Sequence, residues 1–431
     1  MESSIEILHL FLDSSINTKT SFILFLNCIM RIALIKETKT PVDNRVALTP
    51  KQVATLNEKY PSSRIVVQSS DIRAYTDEEY MDAGVEVVQS IEDCDIMFGI
   101  KEATVDSLIP GKKYFFFGHI AKMQEYNRPL LQAFIQKKIT FCDYEYMVDE
   151  RNQRVCAFGW WAGVVGTYYT LRGYGLRYHL YELPMPDRKF TLTKLIDSLK
   201  EVNLPPIKVF ITGAGRVSQG AQFVLDTLGC HRMTEEEYLG SDSVDSLSFC
   251  YADVDRLVKR IDGLDFSLPD FINHTDAYKS DFMRWAKATD VLICAHFWGP
   301  GAPVYLSEDD LRLDDLRIKM IGDVTCDIKG SIKSTVRPAT HAEPYYDYNP
   351  ITETDEPAFS SENNITVMAV DTCPNALALD TSEYFGKMLM QHVFDPLLKG
   401  EDSDVIARST ILEKGVLTHR FEYLKDFANG K

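Results

Sequence analysis

Short apolar runs that alternate with amphipathic stretches constrain this chain more than any other feature. RIALIKE (31–37), RIVVQ (64–68), CDIMFGI (94–100), KYFFF (113–117) and ITFCDYE (139–145) each read as a strand. A strand that is apolar on successive residues is buried on both faces, as in a parallel sheet covered by helices. The stretches between them carry helix starts. Thr49 offers an N-cap and Pro50 a first-turn position, followed by Val53, Leu56 and Tyr60 at helical spacing. TDEE (76–79) is a capping box, with Thr76 as cap and Glu79 reaching back. A helix carrying Leu130, Leu131, Phe134 and Ile135 precedes the last of these strands.

A second block repeats the alternation through IKVFITG (207–213), DVLICAHF (290–297) and RIKMIGDV (317–324). Within it, residues 233–285 read as an acidic, irregular insertion. Residues 158–180 are long, apolar and aromatic, and read as a buried helix connecting two domains. Four prolines (184, 186, 205, 206) mark residues 183–206 as a surface excursion. Beyond residue 335, PATHAEPYYDYNP reads as a loop, ITVMAVD (365–371) as a strand, and a helix starts near Thr381. The expected class is therefore α/β, with two Rossmann-like, doubly wound parallel-sheet domains and a cleft between them. Residues 30–160 and 336–431 would form a discontinuous substrate and catalytic domain, and 161–335 a dinucleotide-binding domain.

Composition narrows the function classes. A length of 431 residues suits two domains, and the net charge of −17 excludes a nucleic-acid binder that works through clustered Lys and Arg. The nine cysteines include no CxxC pair and mostly sit in apolar runs, which points to buried thiols, a reducing compartment and no structural metal. SFILFLNCIM (21–30) is too short to span a bilayer. Residues 1–29 thus read as an extension outside the fold of a cytoplasmic protein, a monomer or small homo-oligomer without a membrane partner.

Three features carry chemistry. In VFITGAGRVSQGA, Gly213 allows a tight strand-to-helix turn and Gly215 has no Cβ to obstruct a pyrophosphate. Arg216, Val217 and Ser218 open the helix whose amides and dipole face the phosphates, and the Ser218 hydroxyl adds a candidate contact. Thr234 stands where a ribose-reading carboxylate is wanted, Glu235 lies just beyond, and Arg232 suits a 2′-phosphate, so NAD and NADP both remain open. Lys101 and His119 each follow a buried strand, and adjacent parallel strands would bring them to one rim as an acid/base pair. Glu102 and Glu145 flank that rim. Arg45, in the loop after the first strand, offers a fork for a substrate carboxylate.

The motifs IKETKTPVDNRVALTP, GIKEA, GHIAKMQ, DYEYMVDERNQRVCAFGWWAGVVG, GAGRVSQGA, GDVTCDIKGSI and MAVDTCPNALALDTSEYFG occur in this order within residues 31–386. Through them the chain resembles the lysine-forming saccharopine dehydrogenase and lysine–2-oxoglutarate reductase group. More distantly it resembles alanine dehydrogenase and the transhydrogenase alpha subunit. The resemblance implies NAD- or NADP-dependent interconversion of saccharopine with L-lysine and 2-oxoglutarate, so that the partners are an amino acid and a 2-oxo acid. It implies Lys101 and His119 as acid/base residues, Glu102 and Glu145 as carboxylates that tune them, and Arg45 as a substrate clamp. Asp327 corresponds to an acid near the nicotinamide and substrate, and Asp371 to a domain-closing D-x-x-P position. An alanine dehydrogenase-like enzyme and a non-catalytic NAD(P)-binding protein are the alternatives.

Overall fold

The computed structural model describes residues 30–299 and 301–431. The extension expected over residues 1–29, Cys28 included, lies outside the described residues. Two compact units emerge: one is Phe158–Thr381, and the other ends at Ala157 and resumes at Ser382–Lys431. In chain order the strands are β1 (Met30–Leu34), β2 (Ser63–Gln68), β3 (Val87–Val88), β4 (Ile96–Phe98), β5 (Lys113–Phe116), β6 (Thr140–Asp143), β7 (Lys208–Thr212), β8 (His231–Arg232) and β9 (Ser248–Ala252). They continue with β10 (Val258–Arg260), β11 (Tyr278–Ser280), β12 (Val291–Cys294), β13 (Met320–Asp323), β14 (Tyr345–Asn349), β15 (Thr354–Glu356), β16 (Ile365–Met368), β17 (Thr410–Glu413) and β18 (Val416–Leu417).

The first unit is built on a sheet of order β18-β17-β6-β5-β4-β1-β2-β3. Strands β6 through β3 run parallel, and β17 and β18 close one edge antiparallel. Aromatic rings stack across the strands: Phe98 lies 4.4 Å from Phe115 and 4.4 Å from Phe394, centroid to centroid. Both helix starts read from the sequence have reciprocal caps, Thr49 with Gln52 and Thr76 with Glu79. Parallel strands all point their C-terminal ends to one edge, so the loops after β1, β4, β5 and β6 share that edge.

The second unit has the order β15-β14-β16-β13-β12-β7-β9-β8, parallel except at β14 and β15. Its strands explain their own apolar runs. Val209 and Ile211 enter one core cluster while Phe210 enters the other, and Val291, Ile293 and Leu292 divide the same way. Both faces are therefore buried, and successive residues must be apolar. Helices α1 (Gly159–Arg177) and α2 (Arg216–Thr227) cross at glycines. A Cβ on Gly163 would lie 1.8 Å from the Val217 carbonyl oxygen, and one on Gly220 would lie 1.9 Å from that of Trp160.

Four expectations are corrected. Residues 233–285 are no insertion: they contain β9, which pairs directly with β7. The Tyr-rich stretch is no loop: Tyr345, Tyr346 and Tyr348 are buried in β14. Residues 336–381 belong to the second unit because β14 and β16 extend its sheet from β13, so the chain returns to the first unit at Ser382 rather than at 336. The helix placed over 158–180 is core of the second unit, not a connector, with twelve buried positions between Trp161 and Gly175. As expected, the eight described cysteines are mostly buried, and they are unbridged. Among the described residues no group of three or more metal-ligating side chains gathers.

Candidate active site

The register of β4 and β5 pairs Phe98 with Phe115, so Lys101 and His119 both follow adjacent strand ends on the shared edge. Each is set by its loop. Glu37, just after β1, is buried and accepts the N–H of Ile100 (2.7 Å) and of Lys101 (2.9 Å). It thereby ties the Lys101 loop to the end of β1. Burial and the neighbouring charge of Asp43 push the Glu37 carboxyl up to about 8, against the two amide bonds and Arg45. At His119 the backbone takes the left-handed conformation (φ 52°), and its carbonyl accepts from Asn127 Nδ2 at 3.2 Å. Gly118 precedes it because a Cβ there would lie 2.5 Å from the Phe141 ring.

The imidazole of His119 meets Glu145, Nδ1 to Oε2 at 3.3 Å. The other oxygen of Glu145 faces Lys122 Nζ at 3.3 Å and Arg154 Nη1 at 4.0 Å. Burial works to raise the Glu145 carboxyl, but the His119 hydrogen bond and the Lys122 and His119 charges outweigh it and hold it at about 2. Two residues earlier, Asp143 is fully buried and accepts the N–H of Gly118 (3.2 Å) and of Glu145 (2.9 Å). Burial pushes it up to about 7, with the charge of Glu145 adding to the effect and the amides opposing it. The edge thus juxtaposes carboxyls displaced in opposite directions, an arrangement typical of sites that move protons.

Two expected residues are engaged differently. The Arg45 fork is buried and grips Asp43, Nε at 2.9 Å and Nη2 at 2.6 Å, so the edge meant for a substrate carboxylate is filled by the protein's own. Burial would raise Asp43, yet the charges of Arg45 and Lys101 hold it below the usual carboxylate range. Glu102 is buried and bonded to Lys39 at 2.7 Å. Glu37, Asp43, Asp143 and Lys122 were not singled out from the sequence; Glu37, Asp143 and Lys122 are engaged by contacts between loops distant along the chain.

In the second unit, β7 is flanked by β9 on one side and β12 on the other, which makes the end of β7 a topological switch point. Gly213 sits there with φ 86°, and its N–H donates to the Ala252 carbonyl at 2.7 Å. A Cβ on Gly213 would lie 3.0 Å from His296 Cα, whereas one on Gly215 would enter open space. No side chain caps α2, whose first residues are Arg216 and Val217. Ser218 is corrected: it is fully buried and accepts from Gln222 Nε2 at 2.9 Å, so its hydroxyl is committed within the helix. Thr234 caps the short helix Glu235–Gly240 in a capping box with Glu237, and Glu235 pairs with Arg256 at 2.7 Å. Asp327 lies in the loop after β13, and Asp371, exposed, follows β16. Missed by the sequence reading, His296 bridges Thr212 Oγ1 (2.6 Å) and Ser331 Oγ (2.8 Å) beneath the glycine turn. Burial lowers it to about 3. Open space at Gly215, uncapped amides on α2 and a cavity of about 560 Å³ lined by residues 232–235, 250–253, 255 and 256 fit an extended dinucleotide.

Residues 33–165 match the family of the alanine dehydrogenase/PNT N-terminal domain. The motifs and the comparisons point to one group. An Arabidopsis thaliana alpha-aminoadipic semialdehyde synthase is 29% identical over 91% of this chain and 41% of its own length. A saccharopine dehydrogenase [NAD(+), L-lysine-forming] of Yarrowia lipolytica is 24% identical, covering 84% of this chain and 90% of that protein. The chain spans less than half the length of the first relatives it matches. Among solved structures, an L-alanine dehydrogenase superposes with a TM-score of 0.60 at 18% identity, over 93% of this chain and all of that one. A transhydrogenase from Sinorhizobium meliloti follows at 0.58 and 13%, over 90% and 100%. These superpositions share the two-domain α/β fold. Among the described residues no helix is long and apolar enough to cross a membrane.

Proposed function

We propose that this chain is a nicotinamide-dependent oxidoreductase of a secondary amine, interconverting saccharopine with L-lysine and 2-oxoglutarate. The observation that carries the reading is the His119–Glu145 pair on the strand-end edge that also presents Lys101. Its support from other proteins is the match to lysine-forming saccharopine dehydrogenases over most of the chain.

The reaction removes a hydride from the carbon beside nitrogen and a proton from the nitrogen, leaving C=N. Water then adds across that bond, and the carbinolamine breaks its C–N bond to give the amine and the oxo acid. A bound nicotinamide dinucleotide supplies the hydride acceptor; the protons fall to the protein. Glu145 is ionised at neutral pH and can only accept, so Nδ1 of His119 donates to it. Nε2 is then the nitrogen that exchanges a proton with substrate. In this reading one of Lys101 and His119 takes the amine proton, and the other serves water addition and carbinolamine collapse. Lys122 suits a substrate rich in carboxylates, while Arg45 holds Asp43 with its fork. Arg45 instead counters the charge that buried Glu37 would otherwise feel. Gly213, Gly215, Arg216 and Val217 are assigned to the pyrophosphate, and Asp327 and Asp371 to the nicotinamide end.

A second reading, an alanine dehydrogenase-type enzyme, is favoured by the family match over residues 33–165. Oxidation of reduced nicotinamide by the purified chain separates the two. Turnover only with L-lysine and 2-oxoglutarate together supports the first reading; turnover with pyruvate and ammonia replaces it with the second.

A further inference from the structure

The strand order moves the ribose-reading position away from where the sequence suggests it. In a doubly wound sheet of order 3-2-1-4-5-6 the acid that hydrogen-bonds the ribose hydroxyl comes about 20 residues after the glycine turn, on the strand that lies beside the one leading into it. Where the chain visits an outer strand first, the strand beside the turn falls later in the sequence. That neighbour is β9, paired with β7 from Lys208–Ser248 to Thr212–Ala252, while β8 lies one strand further out. The Gly213 amide bonds the Ala252 carbonyl at 2.7 Å, so the next residue, Asp253, stands directly beside the turn. It lines the cavity of about 560 Å³ together with Thr234, Glu235, Asp255 and Arg256. Both arginines of that wall are already matched, Arg232 to Asp226 at 2.6 Å and Arg256 to Glu235 at 2.7 Å. Asp253 is exposed, and no ion pair engages it among the described residues; its Oδ1 accepts only the adjacent Val254 amide at 2.8 Å.

We infer that Asp253 reads the adenosine ribose and selects NAD(H) over NADP(H). A carboxylate accepts from the vicinal 2′- and 3′-hydroxyls. A 2′-phosphate placed there would instead meet Asp253, Asp255 and Glu235 with no uncommitted guanidinium to balance it. Thr234 and Glu235 then act as wall and helix cap, not as the ribose reader. The inference rests on the dinucleotide reading of the second unit.

The test is titration of the full-length chain with NADH and NADPH, followed by nicotinamide fluorescence, alongside Asp253→Asn and Asp253→Ser. Asn and Ser both keep a capping oxygen for the following turn, so the fold is retained while the carboxylate is lost. The unmodified chain should bind NADH roughly tenfold or more tighter than NADPH, the scale of charge-assisted hydrogen bonds lost or gained. In both variants that ratio should collapse toward one, mainly through weaker NADH binding. Tighter NADPH binding by the unmodified chain, or a ratio unmoved in the variants, overturns the assignment to Asp253 alone. Binding of neither dinucleotide by the unmodified chain overturns the cofactor reading and this inference with it.

Discussion

The two sheets end alike and do opposite things with their ends. At the strand-end edge of the first unit, buried carboxyls are driven apart, with Glu37 up to about 8, Asp143 up to about 7 and Glu145 down to about 2. At the glycine turn of the second unit the groups are neutral or backbone: an uncharged His296 between two hydroxyls, and glycines that let chains approach. In the proposed reading, one edge exchanges protons and the other lets a polyanion lie close. The same topology serves both because strand ends gather loops, and the loops alone decide the chemistry.

The contrast breaks most visibly at the glycines. Gly163→Val or Gly220→Val forces a side chain into a carbonyl oxygen at under 2 Å, and should cost about 3 kcal/mol or more, or abolish folding of the second unit. Gly215→Ala meets nothing and should leave the thermal midpoint within about 2 °C while weakening dinucleotide binding. Equal loss of stability in all three would show that the turn is structural throughout. Thermal unfolding together with cofactor titration reads both.

The next effect is a divergence with pH. Glu37 and Asp143 hold protons in the folded chain that the unfolded chain releases, so their contribution is full below roughly pH 4 and lost as pH rises toward 7 to 8. Buried His296 runs the other way. Its proton is bound more readily by the unfolded chain, so stability is full above roughly pH 6.5 and lost as pH falls toward 3. Amide exchange between pH 5 and 8 should therefore speed up in β4–β6 and slow down, after correction for intrinsic rates, in β7 and β12. Parallel behaviour in both sheets would contradict the division. Smallest is the cap: Thr76→Ala should cost about 1 kcal/mol by denaturant midpoint, against no change in cofactor affinity.

Much of this was legible in the sequence because local signals agree with the fold. Thr76 and Glu79 cap what they were read to cap, the apolar runs are strands buried on two faces, and Gly213 takes its positive φ. What was not legible depends on pairing. β9 hides in SLSFCYA between acidic stretches, and only its bonds to β7 reveal it as central. Glu37 reads only as the end of the first strand until the Ile100 and Lys101 amides close on it. Arg45 offers a fork in any sequence; that Asp43 fills it is a fact of the loop's conformation. Tyr345, Tyr346 and Tyr348 look like loop residues beside prolines, and become strand only against β16.

The central claim is that the first unit moves protons and the second holds the cofactor. Lys101→Met and His119→Gln test it most directly when turnover and dinucleotide affinity are measured on the same samples. Turnover should fall about 10²–10⁴-fold in each variant with cofactor affinity unchanged. Unchanged turnover, or a loss of cofactor binding that accounts for the rate, would contradict it.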